Sequence, residues 1–355
     1  MIIETPAMML DMRRIKKNIA NQQEMADMQS VKLRPHIKTH KMPELAKLQL
    51  SRGAVGITCA SLSEAECMAA SGINDIFIAY QIIGKNKLER LMTLSEKVRV
   101  ITGVDSREGA AALSEMAGRH GLVAEVRLEV DTGMRRAGVW WENAVELAKY
   151  VAGLPNMKLS GIFTFKHSLY REKPTADNRL SAVEEVERIM FAAEGISAAG
   201  IRIADISGGS TPTSEFYLEY KGLTEIRSGS YILANNNAAY IAVTVISTPE
   251  AFRAVVDGGS KAFSGDFQLD APPYFKKSHG VVVNHPHLSL VRMSEEHGVL
   301  ESIDGEKPTG LHIGQILHIV PNHICTCMNL FESCYIVNED GTIRREKIAA
   351  RGMSQ

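Results

Sequence analysis

The chain has 355 residues, of which 45% are hydrophobic and 23% are charged, and this balance is typical of a globular protein with a substantial core. Its length accommodates a barrel-sized domain and a second domain. The formal net charge of −1 at pH 7 gives no reason to expect nucleic acid or an anionic membrane surface as a partner.

The five cysteines favour a reducing compartment over a disulfide framework, because their number is odd and the chain is long. Residues 1–6 do not form a basic segment followed by an apolar one, and no apolar run reaches the roughly 18–20 residues of a membrane span. We therefore expect a cytoplasmic protein whose cysteines are thiols or metal ligands.

Short apolar runs alternate with amphipathic segments through the first two thirds of the chain. This alternation indicates βαβ units and a parallel sheet, and about eight such units favour a (β/α)8 TIM-like barrel. An open doubly wound sheet is the competing interpretation. The predicted strands are 56–60, 75–79, 98–101, 124–130, 159–164, 205–207 and 225–227, and the predicted helices are 11–28, 63–70, 106–120, 143–152 and 181–199.

After about residue 237 the pattern changes to short β-rich runs separated by Gly, Pro, Asn and Asp, without helical stretches. This pattern predicts an all-β domain over 237–355, following a barrel over 11–236. Residues 1–10 are also extended and apolar, which favours their pairing with the β domain. The predicted strands are 243–248, 252–256, 280–283, 288–293, 298–302, 315–320 and 334–337.

A basic motif, RPHIKTHK at 34–41, follows the first predicted helix. One interpretation is a solvated basic loop. The other places one lysine at the carboxyl end of the first barrel strand, where catalytic residues of such barrels lie. A lysine beside other cations has a lowered pKa and is a usable amine nucleophile.

Two glycine-containing turns follow later predicted strands. DTGMRRAG at 131–138 is either an ordinary strand-to-helix turn or a turn that presents Arg136 to an anionic oxygen. SGGSTPT at 207–213 and the small residues at 228–230 make loops whose backbone N–H groups suit a phosphate, although the same composition also makes simple turns. The loops after strands 7 and 8 are the usual phosphate site of these barrels.

A His-x-Cys pair, His323 and Cys325, lies on a segment that we predict to be extended, so that both side chains share one face. Imidazole and thiolate suit zinc, and two ligands need water, substrate or another group to complete the site. The alternative is a pair of core residues. Cys327 is either a third ligand or a further core residue.

Taken together, these motifs resemble the D-threonine aldolase and D-serine dehydratase family, whose members share the alanine-racemase type of pyridoxal-phosphate fold. The resemblance extends from about residue 5 to residue 325, nearly the whole chain. It departs from the family pattern at ILANNN (232–237), where an acidic residue is expected. The motifs that carry the resemblance are RPHIKTHK (34–41), DTGMRRAG (131–138), SGGSTPT (207–213), DGGSK (257–261) and PNHIC (321–325).

The resemblance implies a role for each matching residue. Lys38 would form the Schiff base with pyridoxal phosphate, Arg136 would lie near the phenolic oxygen, His167 would stack on the ring, and Arg227 would face the pyridine nitrogen. It also implies a homodimer. The implied phosphate-binding residues are Ser207, Gly208, Gly209, Gly229 and Ser230, and the implied metal ligands are His323 and Cys325.

The resemblance further implies a small D-amino-acid substrate with a β-hydroxyl, and a divalent metal, with zinc favoured over manganese or magnesium. Loss of the hydroxyl proton, with His40 or a metal-bound water as base, gives glycine and an aldehyde. Removal of the Cα proton followed by loss of water gives pyruvate and ammonia from D-serine. We favour the aldolase. An amino-acid racemase, a non-catalytic pyridoxal-phosphate carrier and a metal-binding barrel without that cofactor are the alternatives.

Overall fold

The computed structural model describes residues 3–219, 221–266, 268–272, 275–303, 305 and 307–355. The chain divides into two compact units. One comprises Met1–Ala20, Thr39–Met42 and Ser230–Gly352, and the other comprises Asn21–Lys38, Pro43–Gly229 and Met353–Gln355. Residues 1 and 2 of the predicted extended N-terminal segment lie outside the described residues.

The chain begins with a strand that leads directly into a helix: β1 (Ala7–Asp11) and α1 (Met12–Met28). Oδ1 of Asp11 accepts a hydrogen bond from the backbone N–H of Arg14 at 3.0 Å. This contact satisfies one of the first-turn N–H groups, which have no partner within the helix. The predicted helix 11–28 is therefore present, with its first residue acting as the cap.

Eight parallel strands form the barrel, in the spatial order β2-β12-β11-β8-β6-β5-β4-β3. A parallel bridge between His36 and Thr58 joins β2 to β3 and closes the ring. The predicted TIM-like barrel is thus confirmed. The strands of this unit, with three short accessory ones (β7, β9 and β10), are β2 (Lys32–Leu33), β3 (Ile57–Cys59), β4 (Asp75–Gln81), β5 (Arg99–Val104), β6 (Ala124–Asp131), β7 (Val139–Trp140), β8 (Met157–Phe163), β9 (Leu169–Tyr170), β10 (Lys173–Pro174), β11 (Asp205–Gly208) and β12 (Glu225–Ile226).

The barrel helices begin at polar caps. Ser61, Ser106 and Asp177 each accept a backbone N–H of the first turn with their side-chain oxygens. Two of the helices, α2 and α4, are absent from the sequence-based prediction. Every helix in the described ranges is too short or too polar to cross a bilayer. The barrel helices are α2 (Pro43–Leu50), α3 (Leu62–Ala70), α4 (Lys85–Ser95), α5 (Arg107–Arg119), α6 (Ala144–Gly153) and α7 (Asn178–Ala198).

The interior of the barrel contains a network of charges. Arg127 is fully buried and donates to Glu225 at 2.6 Å and to Asp205 at 2.9 Å. Nε of Arg34 donates to the other oxygen of Glu225 at 2.8 Å, and Arg34 also contacts Asp75. Because both carboxylate oxygens of Glu225 receive guanidinium donors, the desolvated charges in the barrel are paired.

The other unit is mainly antiparallel. Six strands close a ring in the order β13-β18-β15-β16-β17-β14, with β14 pairing back to β13. β1 pairs antiparallel with β13 and parallel with β19, which continues to β20. The strands are β13 (Ala239–Glu250), β14 (Arg253–Val256), β15 (Gly280–Val282), β16 (Leu288–Met293), β17 (Gly298–Ser302), β18 (Ile316–Pro321), β19 (Ser333–Val337) and β20 (Ile343–Lys347).

The expectation that this part of the chain lacks helices is wrong. Besides α8 (Tyr231–Ala234), it contains α9 (Ser260–Phe263) and α10 (Ile324–Leu330). Both α9 and α10 are short enough that their sequences show little helical periodicity. α10 matters for the site, because it begins inside the predicted metal-binding motif.

Candidate active site

The carboxyl ends of the barrel strands bring together three residues predicted to bind the cofactor. Lys38 lies in a 3-10 turn, Ile37–Thr39, just beyond β2. Its Nζ lies 5.3 Å from the centroid of the Phe165 ring, and the guanidinium carbon of Arg136 lies 5.3 Å from the same centroid. The His167 ring is 6.1 Å from Phe165 and nearly perpendicular to it. Phe165, which sequence analysis assigned no role, is therefore the residue around which Lys38, Arg136 and His167 gather.

Arg227 lies directly after β12 and is held by two hydrogen bonds. Its Nη1 donates to Oγ of Ser207 at 2.8 Å, and its Nη2 donates to the carbonyl of Thr164 at 2.6 Å. Burial, opposed mainly by the charge of Glu225, lowers the pKa of Arg227 to about 10. The side chain therefore remains a cation at neutral pH, at the end of the barrel where Lys38 lies.

Two buried polar atoms at this end of the barrel lack a hydrogen-bond partner among the described residues. They are Nε of Arg227 and Oγ of Ser228. Buried polar groups are normally satisfied, so these two atoms could donate hydrogen bonds to a bound ligand. A lysine amine, cationic guanidinium groups and an unsatisfied hydroxyl fit the aldehyde, oxygen and phosphate groups of pyridoxal phosphate.

The glycine-rich turn is less open than its sequence indicates. Gly208 ends β11, and Gly209 follows with φ +81°, a conformation that favours glycine. The N–H of Gly209 already donates to Oε1 of Glu185 at 3.2 Å. Gly229 and Ser230 follow Ser228 and precede α8. The resemblance implies two phosphate-binding turns. The one after β12 contains Ser228, whose buried hydroxyl has no hydrogen-bond partner within the described residues.

The His-x-Cys pair is present, but on a different backbone from the predicted one. His323 immediately precedes α10 and Cys325 lies in its first turn, so the prediction of an extended segment is wrong. The two side chains nevertheless meet, because His323 hydrogen-bonds to Cys325. The first turn of a helix therefore brings the two side chains together, and not the alternating side-chain directions of a strand.

A carboxylate that the sequence analysis missed completes this arrangement. Nδ1 of His323 lies 2.6 Å from Oδ2 of Asp266. Oδ1 of Asp266 accepts from the hydroxyl of Ser264 at 2.8 Å and from that of Thr326 at 3.1 Å. The hydrogen bond to Cys325 raises the pKa of His323 to about 9, burial opposes this rise, and Asp266 adds to it.

Cys327 does not join the pair. Its Sγ donates to the carbonyl of Phe263 at 3.0 Å and contacts that of His323 at 3.2 Å, and burial raises the pKa of the thiol well above its usual range. Within the described residues no three His, Cys, Asp or Glu side chains are grouped to hold a metal. A metal on His323 and Cys325 would therefore take its remaining ligands from water or substrate.

His40 is buried in the same unit as the pair. Its Nδ1 accepts the backbone N–H of Met42 at 3.1 Å, so the neutral ring carries its proton on Nε2. The neighbouring Thr39 lies with its hydroxyl oxygen 3.2 Å from Sγ of Cys325. In this tautomer Nε2 of His40 is a hydrogen-bond donor, and Nδ1 could take up a proton only if its bond to Met42 were broken.

Comparison with known proteins identifies the family of the two parts of the chain. Residues 10–236 match the model of the alanine racemase N-terminal domain, and residues 238–337 match that of a putative serine dehydratase domain. A D-threonine aldolase of Arthrobacter sp. is 30% identical over 99% of this chain and 94% of its own length. A D-threo-3-hydroxyaspartate dehydratase of Delftia sp. (strain HT23) is 32% identical, covering 96% of both chains.

Among solved structures, a D-threo-3-hydroxyaspartate dehydratase, a cysteine-to-alanine mutant in the metal-free form, superposes with a TM-score of 0.89. It is 29% identical and covers 97% of both chains. The family match spans well over half of this chain, and the two full-length relatives described above are named as an aldolase and a dehydratase, which are lyases. The chain therefore belongs to the alanine-racemase-type family of pyridoxal-phosphate enzymes, as one of its lyases.

Proposed function

We propose that this protein is a pyridoxal-phosphate- and divalent-metal-dependent lyase that cleaves D-β-hydroxy-α-amino acids between Cα and Cβ, giving glycine and an aldehyde. The observation that carries the proposal is the hydrogen-bonded pair of His323 and Cys325 with its supporting Asp266. A racemase has no need of a metal at the β-hydroxyl. The full-length similarity to a D-threonine aldolase supports the aldol direction.

The barrel residues hold and orient the cofactor, which when bound supplies an electron sink at Cα of the substrate. Lys38 would carry the cofactor. Arg136, which lies beside the same Phe165 ring as Lys38, would bind the phenolic oxygen. Arg227 would donate its unsatisfied Nε to the ring nitrogen, and Ser228 would donate to the phosphate. An arginine at the ring nitrogen keeps that nitrogen unprotonated, which weakens the electron sink and increases the need for help at the β-oxygen.

His323 and Cys325 would supply that help by holding the metal, which polarises oxygen ligands as a Lewis acid. Imidazole and thiolate favour zinc, with manganese or magnesium as the other candidates. A similar D-threo-3-hydroxyaspartate dehydratase was solved in a metal-free form, which supports the proposal of a metal in this group of lyases. We infer that Asp266 fixes the tautomer of His323 that presents Nε2 to the metal.

A second candidate, a D-serine-type dehydratase, is favoured by two observations. A D-threo-3-hydroxyaspartate dehydratase is 32% identical to this chain over nearly its whole length. In the tautomer with its proton on Nε2, His40 would donate a hydrogen bond to a departing hydroxyl, because its Nδ1 already accepts the backbone N–H of Met42. In this reaction Lys38 would remove the Cα proton, and D-serine would give pyruvate and ammonia.

A product assay distinguishes the two reactions. The purified enzyme, loaded with pyridoxal phosphate and zinc or manganese, is offered D-threonine, D-serine and D-threo-3-hydroxyaspartate separately. Glycine with acetaldehyde from D-threonine establishes the aldolase. Pyruvate from D-serine without glycine makes the dehydratase the correct function, and metal-independent interconversion of alanine enantiomers would overturn both. The resemblance also predicts a homodimer, which sedimentation of the same preparation checks.

A further inference from the structure

The side chain of Glu184, on α7, receives hydrogen bonds from three sources. Nζ of Lys166 contacts its Oε2, and Nη2 of Arg188 donates to its Oε1 at 2.8 Å. The backbone N–H of Arg171 reaches both oxygens, at 3.0 and 3.3 Å. Lys166 is fully buried and the side chain of Glu184 is 9% exposed, so these charges meet away from water.

These contacts fasten the loop after β8, which carries Phe165 and His167. The loop has non-glycine residues with left-handed backbone conformations at His167, Arg171 and Glu172, whose φ values are 61°, 49° and 60°. Such conformations persist where surrounding contacts impose them. Glu184 contacts this loop at Lys166, before β9, and at Arg171, in the turn between β9 and β10. The hydroxyl of Ser181, one turn earlier on α7, donates to the carbonyl of His167.

The same cluster fastens the loop that carries Arg136. Arg188, which is paired with Glu184, donates from Nη1 to the carbonyl of Thr132 at 2.9 Å. The hydroxyl of Thr132 lies 2.7 Å from that of Thr164, at the start of the other loop. Gly133 has φ +125°, a conformation that side-chain-bearing residues rarely adopt, and a Cβ there would come 2.7 Å from Nη1 of Arg188.

We propose that Glu184 is a positioning residue: its carboxylate is the shared anchor of the two loops that place Arg136 and Phe165 beside Lys38, and it thereby sets the affinity and orientation of the bound cofactor. This inference rests on the proposed cofactor site at Lys38. Glu184 itself contacts neither Phe165 nor Arg136 in the described contacts. It acts through Lys166, Arg188 and the backbone of Arg171.

The test compares Glu184→Gln, which removes the charge and keeps the shape, with Glu184→Asp, which keeps the charge. Pyridoxal phosphate is titrated into the apoenzyme by absorbance, and the circular dichroism of the bound cofactor is recorded in the visible range. We expect Glu184→Gln to bind the cofactor roughly tenfold more weakly, the loss that corresponds to about 1.4 kcal/mol, and to change the sign or amplitude of the visible band. Glu184→Asp should restore both in part.

Exposed Glu194, on the same helix, provides the matched control, and Glu194→Gln should match the unmodified enzyme. If Glu184→Gln leaves an unpaired lysine that prevents folding, the double variant Lys166→Met with Glu184→Gln removes both charges and is measured instead. Unchanged affinity and an unchanged visible band in a folded variant would overturn the inference. A Lys38→Ala enzyme that still forms the visible band would instead show that the proposed cofactor site is wrong.

Discussion

Asp266 holds the imidazole of His323 through a 2.6 Å contact between Oδ2 and Nδ1, and its other oxygen is occupied by the hydroxyls of Ser264 and Thr326. A carboxylate on the far nitrogen of a metal-binding histidine fixes the ring and raises its basicity as a ligand. Asp266 is exposed, so its carboxylate can hydrogen-bond to His323 without becoming a buried, unpaired charge.

We therefore expect Asp266→Asn to weaken zinc binding by roughly 10–100-fold while the cofactor still binds. The measurement is a competitive zinc titration against a chromophoric chelator. Ser264→Ala is the matched control, since it removes a hydrogen bond to Asp266 and leaves the contact with His323. Equal zinc affinity in Asp266→Asn and the unmodified protein would show that the carboxylate does not support the metal.

Replacing His323 or Cys325 with Ala should remove the metal and the lyase turnover while the visible absorbance of bound pyridoxal phosphate remains. Chelation of the unmodified enzyme should have the same effect and be reversed by added zinc. Cys327→Ala should retain the metal, because that thiol faces the carbonyls of Phe263 and His323. Turnover that survives chelation contradicts the metal role.

Lys38→Ala should abolish the visible absorbance that pyridoxal phosphate acquires on binding, because the amine that carries the cofactor is lost. Absorbance spectra of the two proteins, reconstituted in parallel, are the measurement. Lys41→Arg, in the same motif, is the control and should keep the band. A band retained by Lys38→Ala would move the assignment to another lysine.

Ser228→Ala should have opposite effects on stability and on cofactor binding. The buried hydroxyl has no partner in the part of the chain that the structure describes, and an unsatisfied buried polar group costs about 1–3 kcal/mol. Its removal should leave the cofactor-free protein as stable or more stable, yet weaken cofactor binding. Urea unfolding of the apoenzyme and a cofactor titration test the two signs, and a destabilised apoenzyme with unchanged affinity would contradict the phosphate role.

Glu225 should make stability depend on pH in the acid range. Burial alone would raise the pKa of Glu225, but Arg127 and Arg34 lower it to about 2. The folded pKa lies below the unfolded value of about 4.3, so this stabilisation is present above that value and is lost as the pH falls toward about 2.

Glu225→Gln leaves Arg127 and Arg34 without their shared carboxylate and should destabilise the protein by about 3–5 kcal/mol near neutral pH. The difference from the unmodified protein should shrink as the pH falls below about 4. Urea unfolding at a series of pH values measures it. A difference that does not change with pH would mean that Glu225 is not ionised in the native protein.

The sequence predicts the barrel well because its strands are buried on both faces and its helices are amphipathic, so each element has its own local pattern. Arg136 and Arg227 could be placed at strand ends from the same pattern. The strand before Lys38, β2, has only two residues and is not among the predicted strands. α10 could not be predicted, because its seven residues, ICTCMNL, read equally as a strand core. The error did not separate His323 from Cys325, since a helix start can also bring their side chains together.

The residues that sequence analysis missed act through long-range contacts. Asp266 lies 57 residues before His323, and nothing in the sequence around it marks a histidine partner. Phe165 lies two residues after β8, so its place near a barrel strand end was available from the sequence. Its ring contacts with Lys38 and Arg136, however, depend on three separate loops. Such contacts form between residues that come together only when the strands and loops assemble. No local sequence periodicity predicts them.

The place of β1 in the sheet has a consequence for the order of folding. Met9 pairs with Tyr240 on one side and with Tyr335 on the other, so this strand has its partners more than half a chain away. During synthesis at about 5–20 residues per second, β1 waits on the order of ten to fifty seconds for its first partner strand. Its apolar residues lack their sheet partners for that time, so we expect chaperones to bind β1 during synthesis.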